Sequence, residues 1–91
     1  MELLGVEEFV RQRRADVLSR AIGSLENSSP GELQAITHRI AGALSLYSFA
    51  EEGNQARAFS GWLAENQLAD DSEITRRRDE LLRLLKDAFI V

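Results

Sequence analysis

The chain has 91 residues, a net charge of −4, no cysteine and a single histidine, which is enough for one modest hydrophobic core and too little for a second domain. The missing thiols exclude disulfides, cysteine catalysis and thiolate metal sites, and one imidazole leaves only carboxylates as further metal ligands. We therefore expect no metal and no cofactor of its own. The acidic balance argues against a general nucleic-acid-binding protein.

Hydropathy and the start of the chain bear on where the protein acts. No apolar run approaches the roughly 18 residues of a membrane span. The opening Met1-Glu2-Leu3-Leu4 has neither the basic region nor the long apolar region of a signal peptide. We expect a cytoplasmic protein that does not associate with membranes.

The first predicted element is a helix over 6–26, whose apolar residues drift slowly around its axis. The polar run 27–31 follows as a loop and contains the only proline. Within it, Ser29, Pro30 and Glu32 have the spacing of a capping box with proline in the first turn. The second helix is therefore predicted over 30–48.

Residues 49–54 form the next predicted break, with Gly53 as a candidate hinge; the alternative is that the helical pattern restarts as early as Ala50. The third helix is predicted over 50–68, with Phe59 and Trp62 in the core because large aromatic groups in so small a domain are usually buried.

The fourth helix is predicted over 73–89, with the apolar stripe of a bundle helix. Its Arg76-Arg77-Arg78 run is mixed with acidic residues, which favours ion pairs on the helix surface over a nucleic-acid site. Four helices with short links and no β-pattern predict an all-α, antiparallel, up-down-up-down four-helix bundle that spans 1–91 as one domain.

The only histidine, His38, lies near the middle of the second predicted helix. It falls roughly 170° from the centre of the apolar stripe of that helix, so the imidazole should face solvent or a partner. Its neighbours along the helix are small, and one is a glycine that costs about 1 kcal/mol of helix stability relative to alanine. Because no long side chain surrounds His38, we predict a surface where another protein docks, formed by Ala35, Ala41, Gly42 and Ser45.

The run His38-Arg39-Ile40-Ala41-Gly42-Ala43, followed by Leu46 and Tyr47, resembles the signature of histidine-containing phosphotransfer (HPt) domains. In that family the histidine of a His-x-aliphatic-(usually Lys)-Gly-small sequence carries a phosphoryl group. The resemblance implies a four-helix phosphorelay intermediate of two-component signal transduction, with His38 as the phosphohistidine.

The resemblance also implies partners. His38 would accept the phosphoryl group from a receiver-domain aspartate and pass it to another receiver, and a hybrid histidine kinase is a further candidate partner. The protein would be a phosphocarrier and not an enzyme in its own right, because Mg²⁺ and the catalytic groups belong to the receiver domain.

One position departs from the family pattern, because Ala41 stands where lysine is usual. Candidates to stabilise the phosphoryl group are Arg39, which projects about 100° around the helix from His38, Arg57 on the next helix, and the amide of Gln55 or Asn54. Two alternatives stay open. One is a helical-bundle adaptor that binds a signalling partner without phosphotransfer, and the other is a helix-turn-helix DNA binder over 43–61, which the acidic composition disfavours.

Overall fold

A computed structural model describes residues 2–90 of the chain. It contains four helices, which we call α1 (Glu2–Glu26), α2 (Leu33–Leu46), α3 (Ala50–Glu65) and α4 (Asp71–Ile90), and a short 3₁₀ turn at Pro30–Glu32 that leads into α2. No strand occurs among these residues, so the predicted all-α fold is confirmed. Met1 and Val91, which complete the predicted domain, lie outside the described residues.

The four helices form a closed ring of neighbours. Contacts join α1 to α2, α2 to α3, α3 to α4 and α4 to α1, and within residues 2–90 neither diagonal pair is in contact. This is the arrangement of a four-helix bundle with sequential connections. The α2–α3 pair has the most extensive interface. No helix of this bundle combines the length and the apolar character that a membrane crossing requires.

Individual contacts give the direction of neighbouring helices. On α3, the Ser60 hydroxyl donates to the carbonyl of Gln34 at the start of α2 (3.2 Å), whereas Gly53 lies against Ser45 near the end of α2. Residue numbers therefore rise in opposite directions along this pair. Likewise, Arg14 of α1 donates to the carbonyl of Tyr47 just past the end of α2 (3.1 Å), while the short link 27–32 joins the other ends of the same two helices.

All four helices contribute leucines to one core. The four large aliphatic side chains that are fully buried are Leu25, Leu33, Leu44 and Leu85. Phe59 is also buried, whereas Trp62 is only half-buried and packs on the core from its edge. The two rings stack with centroids 6.3 Å apart, and the Arg77 guanidinium lies 4.1 Å over the indole. The predicted aromatic core therefore holds fully for Phe59 and in part for Trp62.

The link between α2 and α3 is set by a helix-ending motif. The amide of Phe49 donates to the carbonyl of Leu44 (2.8 Å) and the amide of Ser48 donates to the carbonyl of Ser45 (3.2 Å). These are the two hydrogen bonds of a Schellman motif, and Ser48 takes the left-handed conformation (φ 71°) that glycine usually supplies there. For this reason α2 ends at Leu46, two residues earlier than predicted.

The prediction of Gly53 as a hinge is wrong. Gly53 is buried within α3, and a Cβ there would lie 2.6 Å from Ser45 Oγ and 3.2 Å from the carbonyl oxygen of Ala41. Gly53 lets α2 and α3 pack closely, since a Cβ there would require the Ser45 side chain to turn away and the Ala41 backbone to shift by a few tenths of an ångström.

Two other boundaries have local causes. The Asn66 amide donates to the carbonyl of Trp62 (2.8 Å), which replaces a helical hydrogen bond and ends α3 at Glu65, before the predicted 68. At the start of α2, the Glu32 carboxylate accepts the backbone N–H and the hydroxyl of Ser29 (3.0 and 2.9 Å). The predicted cap at Ser29 is therefore present.

Candidate functional site

His38 lies in the second turn of α2, and its imidazole is exposed. The buried side chains of that helix form a stripe that begins about 60° around the helix from His38 and is made of Leu33, Thr37, Ile40, Ala41 and Leu44. Because His38 stands outside this stripe, its ring extends from the bundle surface while the backbone beneath it belongs to a packed helix.

The turn that carries His38 is tied to α3. Thr37 is fully buried, and its hydroxyl donates to the carbonyls of Leu33 (2.7 Å) and Gln34 (3.1 Å). The carbonyl of Gln34 also accepts the Ser60 hydroxyl from α3. These side-chain hydrogen bonds fix the helix backbone one turn before His38. The backbone that carries the imidazole is therefore held in place.

The surface around the imidazole is open. Ala35, Gly42 and Ser45 are exposed on the same half of α2. A Cβ built on Gly42 would meet nothing within 4 Å, so neither α1 nor α3 shields this side of the helix. These three predicted docking positions form an accessible patch of small residues beside His38.

Leu46 belongs to this patch and was not among the predicted docking residues. Its side chain is 78% exposed, and at about 100° per residue it projects only about 80° around α2 from His38. An exposed leucine beside small residues offers an apolar contact to a partner. The same angular argument, applied to residues beyond the small ones, would have identified Leu46 from the sequence.

Ala41 does not belong to the docking surface. It is only 1% exposed, and its backbone carbonyl faces Gly53 across the α2–α3 contact. Residue 41 is displaced about 60° from His38 toward α3, and the close approach of the two helices covers it. The position where the HPt pattern has lysine is thus a packing position in this chain.

Arg57 is the cation that lies level with His38. Two contacts bracket it on α3: Ser60 meets Gln34 on one side, and Gly53 meets Ser45 on the other. In an antiparallel pair, the midpoint of those contacts lies between residues 39 and 40 of α2 and between residues 56 and 57 of α3, so His38 is within about two residues of the level of Arg57. Residue 57 projects about 40° from Gly53 toward solvent. His38 and Arg57 therefore line the same outer groove between α2 and α3.

The guanidinium of Arg57 is available at this groove. Its Nη1 donates to Asn54 Oδ1 at 3.3 Å, a single exposed contact within one helix. No carboxylate in the described part of the chain forms an ion pair with it. Arg57 is therefore free to bind an anion brought to the groove.

The other predicted phosphoryl-stabilising residues lie elsewhere. Gln55 lines a groove between α3 and α4 together with Arg77 and Glu80, and it projects about 160° around α3 from Arg57. Its amide therefore cannot reach His38. Arg39 is exposed but projects from α2 away from α3, about 100° from His38, so it flanks the imidazole on the side opposite Arg57.

The described part of the chain does not favour a metal-binding site or a DNA-binding site. Among residues 2–90, no three histidine or acidic side chains lie close enough together to hold a metal ion. The α2–α3 pair is antiparallel along its length, whereas the two helices of a helix-turn-helix cross at about 90–120°. The fold therefore disfavours the DNA-binding alternative over 43–61.

Comparison with known proteins adds no relative, because the chain matches no family model, no curated protein and no solved structure. The fold and the site define the class by themselves: a four-helix bundle that presents one imidazole on an open helix surface with an arginine level with it. The function must be argued from this arrangement.

Proposed function

We propose that this protein is a phosphorelay intermediate that carries a phosphoryl group on His38. The observation that supports the proposal most directly is the exposure of the only imidazole of the chain, on a turn held by buried hydrogen bonds and surrounded by small residues. A neutral imidazole needs exposure and in-line access to act as a nucleophile, and both are available at this position.

The transfer step uses no group of this chain as an acid or base. The lone pair of the unprotonated imidazole nitrogen attacks the phosphorus of a receiver's aspartyl phosphate. The N–P bond forms, the P–O bond to the aspartyl carboxyl breaks, and the carboxylate leaves with the bonding electrons. The resulting phosphoimidazolium can lose its remaining ring proton to water, and the reverse reaction passes the group to a second receiver.

Docking must bring the two proteins close together. The aspartyl phosphate has to come within about 3–3.5 Å of the imidazole nitrogen, in line with the breaking bond. Long side chains around His38 would prevent this approach, whereas Ala35, Gly42 and Ser45 leave the helix surface clear. The exposed Leu46 supplies the apolar contact at one end of this surface.

In this proposal, Arg57 supplies the positive charge that stabilises the phosphoryl group. Its guanidinium has no acidic partner among the described residues and lies level with His38 on α3. Arginine binds phosphoryl oxygens through its planar fork of donors. A cation on the neighbouring helix would thus do the work of the lysine that Ala41 replaces.

The decisive experiment is phosphoryl labelling of wild type and His38→Gln by a phosphorylated receiver domain. Wild type is expected to acquire an acid-labile, base-stable phosphate, and the variant none, because the chain has no other imidazole. His38 is exposed, so both proteins should melt at the same temperature, which serves as the folding control. Equal labelling of the glutamine variant would refute the assignment.

A binding-only adaptor is the second candidate, and the alanine at position 41 favours it because the usual lysine is missing. The same assay separates the two functions. A receiver that binds the protein at the His38 surface without ever labelling it would establish the adaptor and exclude the phosphocarrier.

A further inference from the structure

The N-terminal half of α1 extends past the end of the bundle. The Arg14 side chain contacts the α2–α3 link, where it donates to the Tyr47 carbonyl (3.1 Å) and lies 4.4 Å over the Phe49 ring. That link marks the end of α2 and α3, so the residues of α1 before Arg14 continue beyond them. We call residues 5–14 the α1 overhang.

The α1 overhang is a helix without a core of its own. All of its described side chains are exposed, including Phe9 (62%) and Val10 (48%). A helix of this length gains too little from its own hydrogen bonds to be stable alone in water. Two adjacent large apolar side chains on such a segment indicate a surface that another molecule covers.

The charges of the overhang are arranged around those two apolar residues. Glu7 and Glu8 precede them, and Arg11, Arg13 and Arg14 follow. A second copy of the same helix, placed antiparallel and centred at Val10, brings Glu7 of each copy level with Arg13 of the other, and both residues project about 60° around the helix from Val10. Glu8 instead pairs with Arg11 of its own helix (3.2 Å). A parallel placement would set like charges side by side.

We propose that two copies of this chain pair through their α1 overhangs, antiparallel, with a two-fold axis near Val10. Such an interface is isologous, so each copy contributes the same patch and the assembly closes as a dimer. Val10 forms its apolar centre, and Phe9, which projects about 100° from Val10, lies at one side. The two Glu7–Arg13 pairs at its edges fix direction and register, which is the usual effect of exposed interface charges.

A groove extends the same interface. It lies beside the overhang, at the end of the bundle, and is lined by Leu18, Phe49 and the exposed Phe89 together with Arg11 and Arg14. In the antiparallel pair, the helix turn before Glu7 of one copy runs level with residues 14–18 of the other.

This dimer leaves the phosphotransfer site free. His38 lies on the α3 side of α2, about 14 Å along the helix from Tyr47, where the overhang begins to leave the bundle. The inference therefore does not depend on the proposed function, and either can fail without the other.

Sedimentation equilibrium of the full chain over a wide concentration range tests the proposal. Wild type is expected to reach twice the monomer mass of 10.2 kDa. Two charge-reversed variants, Glu7→Arg and Arg13→Glu, should each dimerise at least about tenfold more weakly, because residues 7 and 13 of the two copies then face each other with like charges. Mixed in equal amounts, these two variants should form a heterodimer of wild-type affinity. Arg14 is left unchanged because it contacts the α2–α3 link.

The apolar centre is tested by Val10→Asp, which sets two carboxylates face to face at the two-fold axis and should abolish the dimer. Leu68→Asp is the matched control, since Leu68 is 99% exposed and distant from the overhang; it should dimerise like wild type. A wild-type monomer at all concentrations, or charge-reversed variants that associate as wild type does, would overturn the proposal. Failure of the mixed variants to pair would overturn the charge pairing between the two overhangs on which the proposal rests.

Discussion

At the scale of single residues, the proposed phosphotransfer depends on one exposed side chain, His38, and on one cation near its level on the next helix, Arg57. His38 is the only imidazole, and its exposure follows from its position outside the buried stripe of α2. Arg57 becomes relevant only through the packing of α3 against α2, because 18 residues of sequence separate the two.

The proposed role of Arg57 leads to a prediction about rate. Arg57→Ala should slow receiver-dependent labelling of His38 by about tenfold, equivalent to ~1.4 kcal/mol of lost transition-state stabilisation. Arg57→Lys should retain part of the rate because it keeps the charge. The melting temperature should not change, since Arg57 makes only one exposed contact, with Asn54.

Arg39→Ala is the matched control for this measurement. It removes the same kind of side chain from α2, at an angle that projects away from the groove. Initial labelling rates of the three variants at a fixed concentration of phosphorylated receiver decide the question. A larger loss for Arg39→Ala than for Arg57→Ala would contradict the assignment of the cation.

At the scale of helices, the α2–α3 pair is defined by two glycines with opposite roles. Gly42 is on the open face, where a Cβ would meet nothing within 4 Å, whereas Gly53 is at the helix contact, where a Cβ would collide with Ser45 and the Ala41 carbonyl. Both glycines are within helices, so both carry the same intrinsic cost relative to alanine.

Alanine substitutions at the two glycines should therefore move stability in opposite directions. Gly42→Ala should raise the free energy of unfolding by up to about 1 kcal/mol through helix propensity alone. Gly53→Ala gains the same propensity but overpacks the interface, at a cost of about 1–3 kcal/mol, and should be less stable than wild type or at best equal to it.

Urea denaturation of the two alanine variants measures these changes, with Gly42→Ala as the control for propensity. A Gly53→Ala variant stabilised as much as Gly42→Ala would mean that the two helices separate without cost at this point, and that the close contact is not required for the fold.

At the scale of the whole molecule, two glutamates link stability to pH. Hydrogen bonds from the backbone and hydroxyl of Ser29 lower the pKa of Glu32, and hydrogen bonds from Arg76 and Arg77 lower the pKa of Glu73. A carboxyl whose pKa is lower in the folded state favours folding while it is ionised. This contribution is complete above the ordinary glutamate pKa of about 4.5 and is lost as the pH falls through the lowered folded-state values.

The melting temperature should therefore decrease as the pH is reduced from 6 toward 3. The double variant Glu32→Gln/Glu73→Gln, which cannot ionise at these positions, should show a smaller decrease. Glu32 is exposed and Glu73 is half-buried with its side chain still 36% exposed, so solvent screens both groups and the difference should be modest. Glu65→Gln is the control, since Glu65 is an exposed carboxylate outside both hydrogen-bond groups. Parallel pH profiles for the double variant and wild type would show that neither glutamate contributes.

Much of the secondary structure of this protein could be predicted from its sequence. The 3.6-residue periodicity predicts helices because each must bury one face, and the Ser29-Pro30-Glu32 cap and the polar links mark where helices begin. The exposure of His38 belongs to the same category, because it depends only on its angle from the stripe of its own helix. These properties are local, so they can be predicted without knowledge of the neighbouring helices.

The remaining properties depend on which helix faces which. Ala41 and Gly42 are adjacent small residues, yet one is buried and the other open, because α3 approaches α2 on one side only. The same asymmetry brings Arg57 beside His38 and turns Gln55 toward α4. Sequence periodicity gives the angle of a residue about its own axis, but the rotation and register between two helices come from side-chain packing across their interface. For that reason only the tertiary structure decided which small residues around His38 are exposed and which cation lies near its level on the neighbouring helix.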